Sequence, residues 1–284
     1  MRLANLNDRA TIVRDEGVID VEEASEGRFS WSIDLAIARI DALRSWYDKV
    51  DPPATRLVDA EELQRDPGLG PVVTSPSQVF AVGLNYRTHA LEMGLEVPTR
   101  PMLFTKYASS LTGANASFRL VSTRTDWEAE LVVVIGVRGR NVAIDDALAH
   151  VAGYCVGQDL SERELQMQGP TAQFSLGKSY ENFGPIGPWL TTRDEVCNPN
   201  DLQISCRVNG VTHQDASTSD MVFTVAQLVS YVSSVCEMRP GDVIFTGSPH
   251  GTGQGQRPPV FLAAGDVVET TIESLGSLRN VAHN

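Results

Sequence analysis

The chain has 284 residues, 42% hydrophobic and 21% charged, a composition that excludes collagen-like, coiled-coil and disordered classes. At roughly 150 residues per domain this is enough chain for about two domains, or one large domain with a small appendage. Lys and Arg number 23 against 36 Asp and Glu, and the resulting charge of −13 repels nucleic acid and anionic membranes, so neither is expected as a partner. Cys155, Cys197, Cys206 and Cys236 are too few and too widely spread for a disulfide scaffold and form no C-x-x-C pair, which points to buried thiols in a reducing compartment. The N-terminus lacks a signal-peptide apolar run, and no stretch approaches the ~18 apolar residues of a membrane span, so a cytoplasmic protein is expected.

Residues 1–70 carry short amphipathic segments, chiefly Ile33 to Trp46, whose apolar positions recur at helical spacing. They read as a small N-terminal α/β domain, closed by the turn chemistry of Asp66-Pro67-Gly68 and Pro71. Residues 71–284 then turn to β, with strand-length apolar runs at Val79–Val82, Leu131–Val137, Val151–Val156, Leu202–Val208, Val243–Phe245 and Val267–Ile272. Asn209-Gly210 is a strong hairpin signal, and helices are expected at Tyr86–Met93, Ile144–His150 and Thr224–Val235. The whole predicts an α+β fold with a β-rich main domain and long functional loops.

The most informative stretch is Asp126-Trp127-Glu128-Ala129-Glu130, which runs into the apolar Leu131 to Gly136. Alternation along a strand places Glu128 and Glu130 on one face, with Asp126 beside them if the strand starts that early. Two readings fit such a pair: solvated carboxylates at a strand end, or oxygen ligands for a hard divalent cation. The following strand is apolar on both faces, which favours burial. Asp159 ends another apolar strand and is a third candidate.

Downstream of Phe80 the chain resembles the fumarylacetoacetate hydrolase family. The matching blocks, in order, are Gly83-Leu84-Asn85-Tyr86 with His89 and Glu92, Pro101 to Lys106, Asp126 to Glu130, Gly153-Tyr154 through Asp159, and Arg163 to Gln166. Gly177-Lys178-Ser179, Gly184 to Trp189, Asn209-Gly210 and Pro240 to Gly247 complete the series. The resemblance implies a β-rich catalytic domain of mixed sandwich or roll type, a homodimer, and Mg²⁺ or Mn²⁺ on Glu128, Glu130 and Asp159. It also implies a small 2-oxo or β-diketo acid as substrate, and chemistry through an enolate stabilised by the metal.

The same resemblance assigns roles to individual residues. His89 and Glu92 lie at i, i+3 on one helix face, so Glu92 can orient the imidazole, and the family uses such a pair on a lid as the water-activating base. Asn85 is the expected N-cap of that helix and Gly94 its stop. Lys178 faces substrate in relatives, and Gln166 and Thr246 match positions that contact it. Arg163 is read as a brace for the acidic cluster, Lys106 as a residue near the cleft, and His150, His213, His250 and His283 are left outside the site.

The glycine-rich Gly247 to Gly255 lacks the Lys-Ser/Thr of a nucleotide loop, and no Gly-x-Ser-x-Gly elbow is present. The leading expectation is hydrolysis of a C–C bond in an acylpyruvate-type acid. Decarboxylation of an oxaloacetate-like acid, isomerase, dehydratase or lyase chemistry on a related 2-oxo acid, and a non-catalytic acid binder are the alternatives.

Overall fold

A computed structural model describes all residues 1–284. Its frame is a ten-stranded sheet whose centre is the antiparallel pair Ala129–Ile135 and Val151–Gln158. On one side the sheet continues through Val243–Phe245, Val79–Gly83 and Met102–Thr105, and on the other through Gly184–Thr192 to the N-terminal strands Arg2–Leu6, Arg9–Arg14 and Gly17–Asp20. A second sheet of five strands contains Val211–Ser217, Gln203–Val208, Val267–Ile272, Gly276–His283 and Ser117–Arg119. The mixed α/β character and the extensive sheets agree with the sequence reading.

Strand Ala129–Ile135 is buried throughout and, apart from Glu130, apolar, because it is covered on both faces. Leu131, Val133 and Ile135 pack with Ile204, Val268 and Leu278 of the second sheet. Val132 and Val134 join a second core with Ile33, Ile37, Leu43 and Trp46 from the N-terminal helices. The expected boundary near residue 70 therefore divides no hydrophobic core, and Arg2 and Leu3 pair directly with Thr191 and Leu190 across it. The N-terminal segment supplies three strands and the helical cover of one sheet face.

Several local expectations change on inspection. The Ile33 to Trp46 helix is two, Ile33–Ile37 and Ile40–Val50, broken where Arg39 leaves helical geometry and lays its guanidinium over the Phe29 ring at 4.7 Å. Ile144–His150 winds as a 3₁₀ helix. The Thr224 helix spans Val225–Val235, with Thr224 and Gln227 forming a reciprocal capping box. Asn209 and Gly210, at φ 52° and 78°, supply the positive φ values that a two-residue hairpin requires. No helix is long and apolar enough to cross a membrane.

Candidate active site and metal centre

The carboxylates converge through strand register. Gly157 pairs with Glu130 and Gln158 with Ala129, so the next residue, Asp159, stands opposite Glu128, and its N–H donates to the Glu128 carbonyl at 2.9 Å. Directly opposed residues share a face, as do residues two apart. Glu128, Glu130 and Asp159 accordingly meet on one face, with one oxygen from each within 4.8 Å of the others and all three side chains buried. Gln158 secures the junction by accepting from the Glu128 N–H and donating to Thr270 Oγ1 at 2.8 Å. Asp126, although also buried, lies outside this group.

Three cations face the acidic residues. Lys178 Nζ sits 2.6 Å from both Glu128 Oε2 and Asp159 Oδ2. Lys106 Nζ reaches Asp159 Oδ1 at 2.7 Å and is further held by the carbonyls of Lys178 and Phe183. Arg163 bridges Asp126 Oδ2 and Glu128 Oε1, each at 2.6 Å. Four carboxylates face three cations, and Glu130 is the one without a cationic partner; its polar contact is the Gly247 N–H at 2.7 Å. Burial, reinforced by Asp159 and Glu128, raises the Glu130 carboxyl well above its ordinary range. For Glu128, burial is outweighed by Lys178 and Arg163, which hold its carboxyl low.

An all-oxygen carboxylate set in which one buried member lacks a cationic partner fits a hard divalent cation. One oxygen from each carboxylate lies within 4.8 Å of the others, close enough for the three to share one such ion.

His89 and Glu92 lie on the helix Arg87–Glu92, with Nδ1 of His89 3.0 Å from Glu92 Oε2. Tyr86, not Asn85, occupies the N-cap position. Asn85 instead ties the neighbouring chain by donating to the Thr246 and Phe223 carbonyls and accepting from the Phe223 N–H. Gly94, at φ +69°, ends the helix in a Schellman motif, its N–H bonding Leu91 and that of Leu95 bonding Ala90. Burial would raise the Glu92 carboxyl, but His89 and the Gly251 N–H outweigh it and hold the group ionised. An ionised carboxylate only accepts, so Nδ1 of His89 carries the proton and Nε2 is left as a base.

A cavity of about 330 Å³ joins these parts, lined by His89, Glu128, Arg163, Gln166 and Lys178 among others. Gln166 accepts from Arg163 and leaves its buried Nε2 without a partner, a donor available to a ligand oxygen. Thr246 is placed differently: its hydroxyl donates to the Leu131 carbonyl at 2.9 Å, and it does not line the cavity. His250 contacts Thr88 rather than the carboxylates.

Thr252 and Gln254 also line the cavity and were not singled out from sequence. They belong to a loop whose backbone N–H groups clamp two acidic side chains: Gly251 donates to Glu92, and Gly253 and Gln254 to Asp126, at 2.7–3.0 Å. A Cβ on Gly255 would lie 2.4 Å from the Glu92 carboxyl carbon, and one on Gly253 2.6 Å from Asp126 Oδ1. The density of glycine was the available signal; its meaning is close approach to carboxylates rather than to phosphate.

Comparison with known proteins shows the same family that the sequence motifs resemble. Residues 78–282 match the fumarylacetoacetate (FAA) hydrolase C-terminal family model. The chain is 43% identical over 210 residues to the mitochondrial oxaloacetate tautomerase fahd2 of Xenopus laevis, covering 73% of this chain and 66% of that one. An HpcE-like protein of Mycobacterium smegmatis superposes with a TM-score of 0.92 at 44% identity, over 100% of this chain and 99% of the other. Maleylpyruvate hydrolase from Sphingobium sp. SYK-6, solved with manganese(II) and pyruvate, gives 0.78 at 25% identity over 100% of both chains. The chain therefore belongs to the fumarylacetoacetate hydrolase family.

Proposed function

We propose that the protein is a divalent-metal-dependent hydrolase that cleaves a C–C bond in a β-diketo acid of the acylpyruvate type. The observation that carries this reading is the buried Glu130, without a cationic partner, meeting Glu128 and Asp159 beside a cavity lined by His89, which Glu92 orients. Glu128, Glu130 and Asp159 would hold Mg²⁺ or Mn²⁺, which when bound supplies Lewis-acid stabilisation of negative charge on the 2-oxo acid head. A maleylpyruvate hydrolase of the same fold, solved with manganese(II) and pyruvate, supports both the ion and the product class.

The chain's own residues perform the remaining work. Lys178 and the free Nε2 of Gln166 orient the carboxylate and keto oxygens of the substrate. His89 takes a proton from water through Nε2 while Glu92 stabilises the resulting imidazolium. Hydroxide adds to the distal carbonyl carbon and the bond to the central CH₂ breaks. The distal half leaves as a carboxylic acid, and the electron pair of the broken bond forms the enolate of pyruvate, which takes up a proton at carbon.

A second reading rests on the tautomerase relative: the same His89 shuttles a proton on an oxaloacetate-like acid without water attack. Proton NMR of an acylpyruvate and of oxaloacetate, incubated with Mg²⁺-loaded and EDTA-treated protein, separates the two. Pyruvate plus a free carboxylic acid, lost with EDTA, is the expected result. Enol–keto interconversion or decarboxylation of oxaloacetate with an untouched acylpyruvate would replace this reading with the second.

A further inference from the structure

The cavity is polar at one end only. His89, Glu128, Arg163, Gln166 and Lys178 gather at the carboxylate cluster, with Thr252 and Gln254 of the loop that clamps Asp126 beside them, whereas nine of the 17 lining residues are hydrophobic. The apolar wall starts beside the cluster: the Phe104 ring centroid lies 5.3 Å from Lys178 Nζ, and the Phe174 ring follows 5.6 Å from Phe104. Met102 joins this wall, and Met167 and Leu95, 59% and 49% exposed, stand at its outer end. Large apolar side chains left this open beside a cavity are the signature of a surface that a ligand covers.

No cation is free to meet a second anionic group. The lining Arg163 is held by Asp126 and Glu128, and the lining Lys178 by Glu128 and Asp159. His89 is paired with Glu92. A second carboxylate would lie against Phe104 and Phe174 with no free cation to pair it, which burial penalises heavily.

From these features we infer that the substrate is a monocarboxylic 2-oxo acid with an apolar acyl tail, alkyl or aryl, and that Phe104, Phe174 and Met167 select it against dicarboxylates. This rests on the metal-chelating 2-oxo acid reading proposed above and specifies the half of the molecule which that reading leaves open. Phe104 and Phe174 are specificity determinants; they touch the tail and take no part in bond breaking.

The test uses non-cleavable 2-oxo acids and reads binding rather than turnover. Isothermal titration calorimetry of the Mg²⁺-loaded full chain compares 2-oxobutanoate, 2-oxohexanoate and 2-oxooctanoate with 2-oxoadipate, the six-carbon diacid counterpart of 2-oxohexanoate. Affinity is expected to rise roughly fourfold per added methylene, and 2-oxoadipate to bind at least about tenfold more weakly than 2-oxohexanoate. Phe174→Arg, at a half-buried position, should reverse that last preference with little change for 2-oxobutanoate. Equal or tighter binding of 2-oxoadipate by the wild-type protein, or no dependence on chain length, overturns the inference and leaves the metal-chelating reading standing. If none of the acids binds, with or without Mg²⁺, that reading falls, and the inference with it.

Discussion

Arg163 is the most consequential structural residue of the site, and its replacement by Met has a calculable outcome. Its guanidinium is buried, and it contacts Asp126 at 2.6 and 2.9 Å, Glu128 at 2.6 Å and Gln166 at 3.1 Å. Removing one partner of a buried ion pair costs about 3–5 kcal/mol, because the other charge is left without compensation. Asp126 keeps the N–H groups of Trp127, Gly253 and Gln254, and Glu128 keeps Lys178, which sets the loss near the lower limit, about 3 kcal/mol. For a chain of this size each kcal/mol moves Tm by roughly 2–4 °C, so Arg163→Met should melt about 6–12 °C lower in metal-free buffer. Adding Asp126→Asn removes the stranded charge, and the double variant should melt no lower than Arg163→Met alone. The single variant carries one more uncompensated negative charge, so saturating Mg²⁺ should raise its Tm more than that of wild type. Differential scanning calorimetry of the four proteins reads all three quantities. A Tm change under about 2 °C for Arg163→Met, or full additivity in the cycle, would refute the brace assigned to this residue.

Three further outcomes are expected. His89→Ala should lower kcat for C–C hydrolysis by roughly 10²–10⁴-fold while a 2-oxo acid still binds; unchanged hydrolysis would remove His89 from the role of base. Gly255→Ala forces a Cβ to within 2.4 Å of the Glu92 carboxyl carbon, and the resulting displacement should cost up to about 10²-fold in kcat with KM little altered. Thr246→Val should leave KM nearly unchanged, because the Thr246 hydroxyl is engaged by the Leu131 carbonyl; a tenfold rise in KM would show that it also reaches substrate.

What the sequence made legible follows short-range rules. Strand periodicity put Glu128 and Glu130 on one face, helix spacing put His89 beside Glu92, and Asn209-Gly210 announced its hairpin. That Asp159 joins them was implied by the family resemblance rather than by periodicity, and the strand register that brings it opposite Glu128 is seen only in the fold. The features that escaped are those made by distant segments meeting. Gly251 reaches Glu92 and Gly253 reaches Asp126 across more than a hundred residues of chain, and no local pattern encodes that approach. Lys106 reached Asp159 only once the interior closed around it. The apolar wall draws Met102 and Phe104 from one strand and Met167 and Phe174 from two helices, each of which alone looks like ordinary core. Likewise, the N-terminal 70 residues read as an appendage because nothing in Arg2–Leu6 reveals that it will extend the sheet through Thr191.

The central claim is that Glu128, Glu130 and Asp159 together bind a divalent cation, and Glu130→Gln tests it with minimal change of shape. Titration of Mn²⁺ into metal-free protein, followed by electron paramagnetic resonance of the free ion, gives the affinity directly. Wild type should take up Mn²⁺ and release it to excess Mg²⁺, whereas Glu130→Gln should weaken binding by at least about tenfold and retain the wild-type circular dichroism spectrum. Unchanged Mn²⁺ affinity in a folded Glu130→Gln protein would contradict the account.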